Sequence, residues 1–326
     1  MGIRPDIMSF TSEKDPTLRS SEITEGVDRA SHRSLLRAVG LDDEEIHRPI
    51  IGIANSWMEI IPGHIHLDAL AEDVKEGVRE AGGTPLEFNT IGVEAGLAEG
   101  HDGMRSSLPS RETIADSVEL MANAHKFDGI VALASCDKIV PGMVMAFARL
   151  DIPAILVNGG HMAAGEWQGQ SVDLTSINEG VSKYQEGELT EEELYELECS
   201  ACPGAGSCAG MFTANTMGCV TEALGLSLTG NSTTGAIDPK ISEIARRSGN
   251  RIMELLDEGI TTSDILTREA IENAFMVTLA LGGSTNTMLH IPAIAQEAGY
   301  DVTLEDLDDL TARVPHLAHM SPSGPW

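Results

Sequence analysis

The chain has 326 residues, and its 51 Asp and Glu residues against 21 Lys and Arg residues give it a formal net charge of −30. A charge of this sign repels nucleic acid and anionic membrane surfaces, so neither is predicted as a partner. The longest apolar runs, such as residues 130–135 and 153–157, are far shorter than the about 20 residues that a membrane-spanning helix needs.

The acidic composition is also poor in lysine, since only six lysines occur. Such a composition is typical of halophilic proteins, whose charges are screened by a high-salt cytoplasm, and it is equally compatible with an acidic protein at ordinary salt. Residues 1–17 are polar and lack the apolar stretch of a secretory signal. A cytoplasmic location is therefore predicted.

Alternating apolar and amphipathic segments in the first half predict a parallel sheet flanked by helices, which is the α/β fold class. Residues 1–22 are predicted to form a flexible N-terminal arm, and residues 23–165 the α/β core. The predicted strands are 49–55, 85–93, 128–135 and 153–159, and the predicted helices between them are 67–83, 111–125 and 141–149.

The pattern changes after about residue 165, and residues 166–326 are predicted to be mainly helical. Thr190 and Glu193 have the spacing of a capping box, so a helix is predicted to begin there. A loop rich in Gly and Cys follows over 202–210. Further helices are predicted over 212–226, 238–258, 267–281, 288–298 and 303–313.

The loops that follow the predicted strands meet at the carboxyl edge of the sheet, where open α/β proteins bind their ligands. These loops, which contain most of the glycines and histidines of the first half, span residues 55–66, 94–110, 136–142 and 158–167. A ligand site is therefore predicted at this edge.

One of these loops begins with Cys136, Asp137 and Lys138, directly after an apolar strand. A thiol, a carboxylate and an amine in one turn offer a soft ligand, a hard ligand and a base or carbamate former. The alternative is a plain strand-ending turn with a buried thiol and a solvated ion pair.

Four of the five cysteines are crowded into the second half, which is unlike a secreted disulfide framework. Cys199, Cys202 and Cys208 form a C-x2-C-x5-C run with glycines after Cys202. Thiolates in this pattern favour an iron–sulfur cluster, with zinc as the weaker metal interpretation. The interpretation without metal is a glycine-rich turn at a helix N-terminus.

Other polar residues of the predicted edge offer weaker signals. Its carboxylates can bind a divalent cation, whereas its histidines are expected more often to be hydrogen-bonding loop residues than catalysts. The carboxylates are Glu94, Glu99 and Asp102, and the histidines are His64, His66, His101 and His161. Ser284 and Thr285 lie in a glycine turn whose helix amides can hold a substrate carboxylate, although a plain capped helix start fits equally well.

Five motifs in this order resemble the dihydroxy-acid dehydratase family, which is related to the 6-phosphogluconate and sugar-acid dehydratases. The resemblance runs from about Ile23 to the last residue. The motifs are PGHIHL (62–67), SLPSRETIADSVE (107–119), SCDKIVPGM (135–143), CPGAGSCAGMFTANTM (202–217) and LGGSTNT (281–287).

This resemblance implies an iron–sulfur and Mg²⁺-dependent hydro-lyase that converts a 2,3-dihydroxy acid to a 2-oxo acid in valine, isoleucine and leucine synthesis. It also implies a homodimer. By the same resemblance, Cys136 and Cys208 are cluster ligands, Asp137 is a Mg²⁺ ligand, and Lys138 is the catalytic lysine that is carbamylated to bind Mg²⁺.

The chain departs from the family pattern at two positions of the site. Gly63 stands where members with a two-iron cluster have a third cysteine, so Cys202 is our hypothesis for the third cluster ligand. Ala95 stands where an Asp usually binds Mg²⁺, so binding through that loop would have to come from Glu94.

The third departure is length, because family members end in a further β-rich domain that supplies another carboxylate and the serine base. The chain is therefore expected to be the amino-terminal part of the enzyme, with little or no turnover by itself. Two alternatives remain: a sugar-acid dehydratase of the same superfamily, and a catalytically degenerate module that binds a cluster.

Overall fold

A computed structural model of the protein describes residues 17–324. The strands are β1 (Ile50–Asn55), β2 (Thr84–Asn89), β3 (Gly129–Ala134), β4 (Ala154–Asn158), β5 (Gly165–Trp167) and β6 (Gln170–Val172). The first helices are α1 (Ser21–Thr24), α2 (Ala30–Ala38), α3 (Asp43–His47), α4 (Leu67–Glu80), α5 (Ala95–Ala98), α6 (Ser107–His125) and α7 (Ile139–Leu150). The later helices are α8 (Leu174–Gln185), α9 (Glu191–Ala201), α10 (Thr213–Leu224), α11 (Lys240–Glu258), α12 (Thr262–Ile265), α13 (Arg268–Leu281), α14 (Thr287–Glu297) and α15 (Leu304–Thr311).

Strands β1 to β4 form a parallel sheet in the order β2-β1-β3-β4. Ile53 of β1 is paired with Val131 of β3, and Ala132 of β3 with Leu156 of β4. Every residue of β1, β3 and β4 is buried, because parallel strands are covered by helices on both faces. The predicted α/β fold class is confirmed, and each predicted strand and helix of the first half is present.

Helices from both halves of the chain cover the sheet. On one face, α4 and α11 pack against Ile51, Val131 and Val157. On the other face, α6 and α7 pack together with α10, α13 and α14, so this core runs from Ile50 to Leu310. The mainly helical region after residue 165 therefore completes the core of the sheet region. Strands β5 and β6 form a separate antiparallel hairpin, which the sequence pattern did not predict.

The predicted flexible arm over residues 1–22 needs correction at its end. Residues 1–16 lie outside the described residues, but Ser20 is fully buried. Its backbone N–H donates to Oδ1 of Asp128 at 2.9 Å, and Oδ2 of the same carboxylate accepts from the N–H of Ile50 at 2.7 Å. The Asp128 carboxylate thus connects Ser20 to the start of β1, so Ser20 is part of the folded domain.

The predicted capping box at the start of α9 is confirmed. The N–H of Glu193 donates to Oγ1 of Thr190 at 3.2 Å, and the N–H of Thr190 donates to the Glu193 carboxylate at 2.8 Å. In the part of the chain that the structure describes, no helix has the length and apolarity to cross a bilayer.

Helices α4 and α11 cross in direct backbone contact at Gly77 and Gly249. A Cβ atom added at Gly77 would lie 1.9 Å from the carbonyl oxygen of Arg246, and one added at Gly249 would lie 2.1 Å from that of Val74. No real Cβ contact is that short, so a side chain at either position must push the two helices apart.

Gly77→Ala and Gly249→Ala are each expected to lower the free energy of unfolding by about 1–3 kcal/mol, measured by urea denaturation. A loss of stability would distinguish close packing from helix propensity. Without the close contact, replacing glycine by alanine in a helix interior would raise the free energy of unfolding by about 1 kcal/mol. Gly204→Ala is the control, since its added Cβ meets no atom within 4 Å. Equal effects of all three substitutions would contradict the close packing of the two helices.

Candidate active site

The site is built around residues 135–138, the turn that joins β3 to α7. The carbonyl oxygen of Cys136 accepts from the N–H groups of Ile139 and Val140, both at 3.1 Å, and so opens the helix. Residues 139–147 of α7 are all buried, which fixes the turn against the core. The helix begins at Ile139, two residues before the predicted start, and Pro141 lies in its first turn, where proline is tolerated.

The three predicted cluster ligands, Cys136, Cys202 and Cys208, line one cavity of about 280 Å³. The rest of its wall is mainly apolar. All the cysteines of the described residues are free thiols, and neither Cys199 nor Cys219 lines the cavity. The structure therefore brings together thiols from the β3–α7 turn and from the glycine-rich loop after α9.

Burial controls the ionisation of these thiols. It raises the pKa of Cys208 to about 11 and that of Cys136 well above its usual value, and the carboxylate of Glu94 raises both further. Burial and then Asp173 also raise the pKa of Cys202. The thiols are therefore protonated at neutral pH, and a bound cation is needed to stabilise them as thiolates.

Gly63 lies beside Cys136, at the position where the resemblance implies a third cysteine in some members. A Cβ atom at Gly63 would lie 3.4 Å from the Cys136 Sγ and 3.3 Å from the backbone nitrogen of Ser207. The departure from the family pattern thus falls inside the site, and Cys202 is the further thiol on the cavity wall.

The carboxylate of Glu94 lies beside the Cys136 thiol and not beside the carboxylate of Asp137. Glu94 accepts the N–H of Gly96 at 3.0 Å through Oε1, and its Oε2 lies 3.5 Å from the Cys136 Sγ. Ala95 is the first residue of α5 and offers no side-chain oxygen. The Glu94 carboxylate therefore lies with the thiols.

The Asp137 carboxylate lies among groups that donate hydrogen bonds. Lys138 forms an ion pair with Oδ2, Asn286 Nδ2 lies 3.1 Å from Oδ2, and His290 Nε2 lies 3.2 Å from Oδ1. Burial opposes ionisation, but the hydrogen bonds from His290 and Lys138 outweigh it and hold the pKa of Asp137 below its usual range. Asp137 is therefore an ionised oxygen donor next to a thiol donor.

The glycine turn at the start of α14 is connected to this carboxylate. Ser284 Oγ lies 2.7 Å from Thr213 Oγ1, which accepts from Asn286 Nδ2 at 3.0 Å. Thr285 lies in the same turn, and its carbonyl oxygen accepts from the N–H of Met288. Ser284 is thus connected to Asp137 through Thr213 and Asn286, and Thr285 is its neighbour in the turn.

Sequence reasoning missed Thr213, Asn286 and His290. Asn286 and His290 are four residues apart, which is the spacing of one helix face, and this spacing is the signal that could have identified them. His290 is fully buried, and burial lowers its pKa although Asp137 opposes the shift. Within residues 17–324, no three His, Cys, Asp or Glu side chains are grouped closely enough to form a ready-made metal site.

The histidines of the predicted edge loops are hydrogen-bonding residues, as expected. His64 Nδ1 lies 2.6 Å from the carbonyl oxygen of Ser56, and its Nε2 accepts the N–H of Ser135 at 3.3 Å. The ring therefore joins the PGHIHL loop to the residue before Cys136. The other three contact carbonyl oxygens: His66 that of Gly159, His101 that of Leu97 and His161 that of Met162.

Comparison with known proteins identifies similar sequences along almost the whole chain. The model of the dihydroxy-acid/6-phosphogluconate dehydratase N-terminal family matches residues 48–326. A dihydroxy-acid dehydratase of Caldanaerobacter subterraneus subsp. tengcongensis is 59% identical over 309 residues, which are 95% of this chain and 56% of that protein. For a dihydroxy-acid dehydratase of Halothermothrix orenii the identity is 57%, over 94% of this chain and 55% of that protein.

An archaeal relative is similar to the same extent. The protein named dihydroxy-acid dehydratase 1 of Methanosarcina acetivorans is 56% identical over 94% of this chain and 56% of its own length. The chain thus spans a little over half the length of the curated relatives it matches.

The buried His64 predicts a loss of stability in acid. Burial lowers its pKa to about 4 from 6.5. As the pH falls, His64 is therefore protonated in the unfolded chain at a higher pH than in the folded chain. The contribution of neutral His64 is present above pH 6.5 and is lost as the pH falls toward 4, by up to about 3 kcal/mol. His64→Gln should flatten this pH dependence of the free energy of unfolding, whereas His101→Gln, at an exposed histidine, should retain the wild-type slope.

Proposed function

Because the chain belongs to the dihydroxy-acid/6-phosphogluconate dehydratase family, we propose that the complete protein dehydrates a 2,3-dihydroxy carboxylic acid to a 2-oxo acid. The family predicted from the motifs is confirmed by the matches. Relatives that are 55–59% identical carry the name dihydroxy-acid dehydratase, which favours the branched-chain pathway over sugar-acid substrates.

The observation that carries the proposal is the pairing of two kinds of donor on one turn. Cys136 faces the cavity lined by Cys202 and Cys208, whereas the adjacent Asp137 lies with Lys138 and the α14 side chains. Soft thiolates select iron–sulfur clusters, and hard carboxylate oxygens select Mg²⁺. The two neighbouring donor sets therefore suit a reaction in which an iron–sulfur cluster and Mg²⁺ both act on one substrate.

The residues fit an iron–sulfur cluster. Three free thiols line one cavity of about 280 Å³ whose wall is mainly apolar, and their raised pKa values mean that the cluster would replace protons on sulfur. In this proposal Cys136 and Cys208 are ligands and Cys202 is the third.

The residues fit Mg²⁺ through the chemistry of their donors. Asp137 offers an ionised carboxylate, and carbamylation of the Lys138 amine would turn a cation into a further oxygen donor. Glu94 is the remaining candidate ligand, and it would have to turn from Cys136 toward Asp137.

The bound cations would act as Lewis acids on the leaving hydroxyl group and on the substrate carboxylate, which acidifies the proton on C2. The chain itself would contribute orientation, because Asn286 and His290 hold Asp137. In this proposal Ser284 and Thr285, in the turn before α14, are the candidate contacts of the substrate carboxylate.

We also propose that the protein is a cytoplasmic homodimer, as the resemblance implies. Val27, Leu35 and Val39 are between 68% and 79% exposed, and Leu35 and Val39 are one helical turn apart. A subunit contact through this region would cover them.

The cluster proposal predicts which cysteines retain iron. After anaerobic purification, Cys136→Ser and Cys208→Ser should each lose iron and sulfide, because each removes a thiolate from the cavity. Cys202→Ser tests the third ligand in the same way. Cys219→Ser should keep the cluster, since Cys219 is buried in α10 and does not line the cavity. Absence of iron from the wild-type protein would overturn the assignment, and an electron paramagnetic resonance spectrum distinguishes two-iron from four-iron clusters.

The activity is tested on the complete gene product with 2,3-dihydroxyisovalerate and with aldonic acids. Lys138→Arg keeps the charge but cannot be carbamylated, so kcat/KM should fall by about 100-fold or more. Lys240→Arg, at an exposed residue at the start of α11, should leave it unchanged. Turnover of aldonic acids alone would favour the sugar-acid alternative, and turnover of neither with an intact cluster would favour a cluster-binding module.

A further inference from the structure

A hydrogen-bonded chain runs from α6 through α14 to the carboxylate of Asp137. The Arg111 Nη1 lies 3.2 Å from the His290 Nδ1 and 3.2 Å from the carbonyl oxygen of Leu289. The other ring nitrogen of His290, Nε2, lies 3.2 Å from the Asp137 Oδ1. One imidazole thus joins a guanidinium from the SLPSRETIADSVE motif to the carboxylate of the candidate site.

The contacts fix where the proton of His290 lies. A guanidinium only donates hydrogen bonds, so Nδ1 must accept and cannot carry a hydrogen. The proton of the neutral ring is therefore on Nε2, where it is donated to Asp137 Oδ1. Both partners are held in place, because the Arg111 side chain is 12% exposed and His290 is fully buried.

The two oxygens of Asp137 differ in what holds them. Oδ1 accepts from His290, which is held by Arg111, and Oδ2 is paired with the amine of Lys138. Asn286 Nδ2 lies closer to Oδ2, at 3.1 Å, than to Oδ1, at 3.4 Å. Carbamylation of Lys138, as proposed above, adds CO2 to the neutral amine with loss of a proton, so it removes the ammonium that pairs with Oδ2.

We propose that Arg111 and His290 are positioning residues that hold Oδ1 of Asp137 and so present Oδ2 to the cation. Arg111 sets the tautomer of the imidazole, and the imidazole sets the orientation of the carboxylate. This inference rests on the proposed function, in which Asp137 binds Mg²⁺. It assigns a role to Arg111, whose motif is otherwise unexplained by the site.

The test is Mn²⁺ binding by the complete gene product, followed by electron paramagnetic resonance. His290→Leu should raise the Kd for Mn²⁺ by about 10- to 100-fold, the usual effect of removing a group that orients a metal ligand. His290→Gln, which keeps a donor near Asp137, should recover most of the affinity. Arg111→Met should also raise the Kd, and adding it to His290→Leu should cause no further loss, because the two residues act in series.

Arg268→Met is the control for lost stability. Arg268 also links two helices, because it pairs with Glu272 of α13 and Asp306 of α15, and neither partner is bonded to Arg111, His290 or Asp137. This variant should unfold more easily yet keep the wild-type Kd. NMR spectra of protein labelled with ¹⁵N-histidine test the tautomer of His290 without a metal. His290 should carry its proton on Nε2, and Arg111→Met should change the proportions of the two tautomers.

The outcomes separate this inference from the function on which it rests. Mn²⁺ binding that depends on Asp137 but not on His290, or additive effects of the Arg111 and His290 substitutions, would overturn the positioning role alone. Mn²⁺ binding that is unaffected by Asp137→Asn would overturn the proposed metal site and this inference together.

Discussion

Helix α7 is apolar on nearly every side, and the rest of the fold is arranged to cover it. Its residues 139–147 are all buried, and such a helix is stable only when it is surrounded. The sheet covers one side, and α6, α10 and α14 cover the others. Because two of these helices come from the second half of the chain, neither half can complete the core without the other.

This burial explains why the site forms where it does. The turn at 135–138 is held at both ends, since β3 and α7 are both buried in the core. Cys136 and Asp137 are neighbours in sequence, yet their partners come from different parts of the chain. The glycine-rich loop brings thiols to Cys136, and the α14 start brings an amide and an imidazole to Asp137.

Much of the fold could be predicted because its signals are local. The buried strands appear as short apolar runs, and Thr190 and Glu193 contact each other within a single helical turn. The contacts of His290 could not be predicted, because its partner Asp137 lies 153 positions away. The same holds for the crossing at Gly77 and Gly249, since a glycine in a helix does not show which backbone approaches it.

The glycine-rich loop at 202–210 was predicted from the sequence, but its position next to Cys136 was not. The rule that ligands bind beyond the carboxyl ends of parallel strands predicted the location of Cys136. It did not predict that Cys208 would join it, because the loop at 202–210 follows a helix. Its spacing suggested ligation, but the thiols reach the same cavity through the packing of the loop. The N–H of Gly206 donates to the carbonyl oxygen of Pro62 at 2.9 Å, and Ser207 forms backbone hydrogen bonds with Gly160 and Met162.

The raised pKa of Cys208 has a chemical consequence for the newly folded protein. With a value of about 11, this thiol is almost entirely protonated at pH 7. Thiol oxidation and alkylation proceed through the thiolate, so the folded chain reacts slowly at this position. The same burial that raises the pKa of Cys208 thus protects its sulfur from covalent damage.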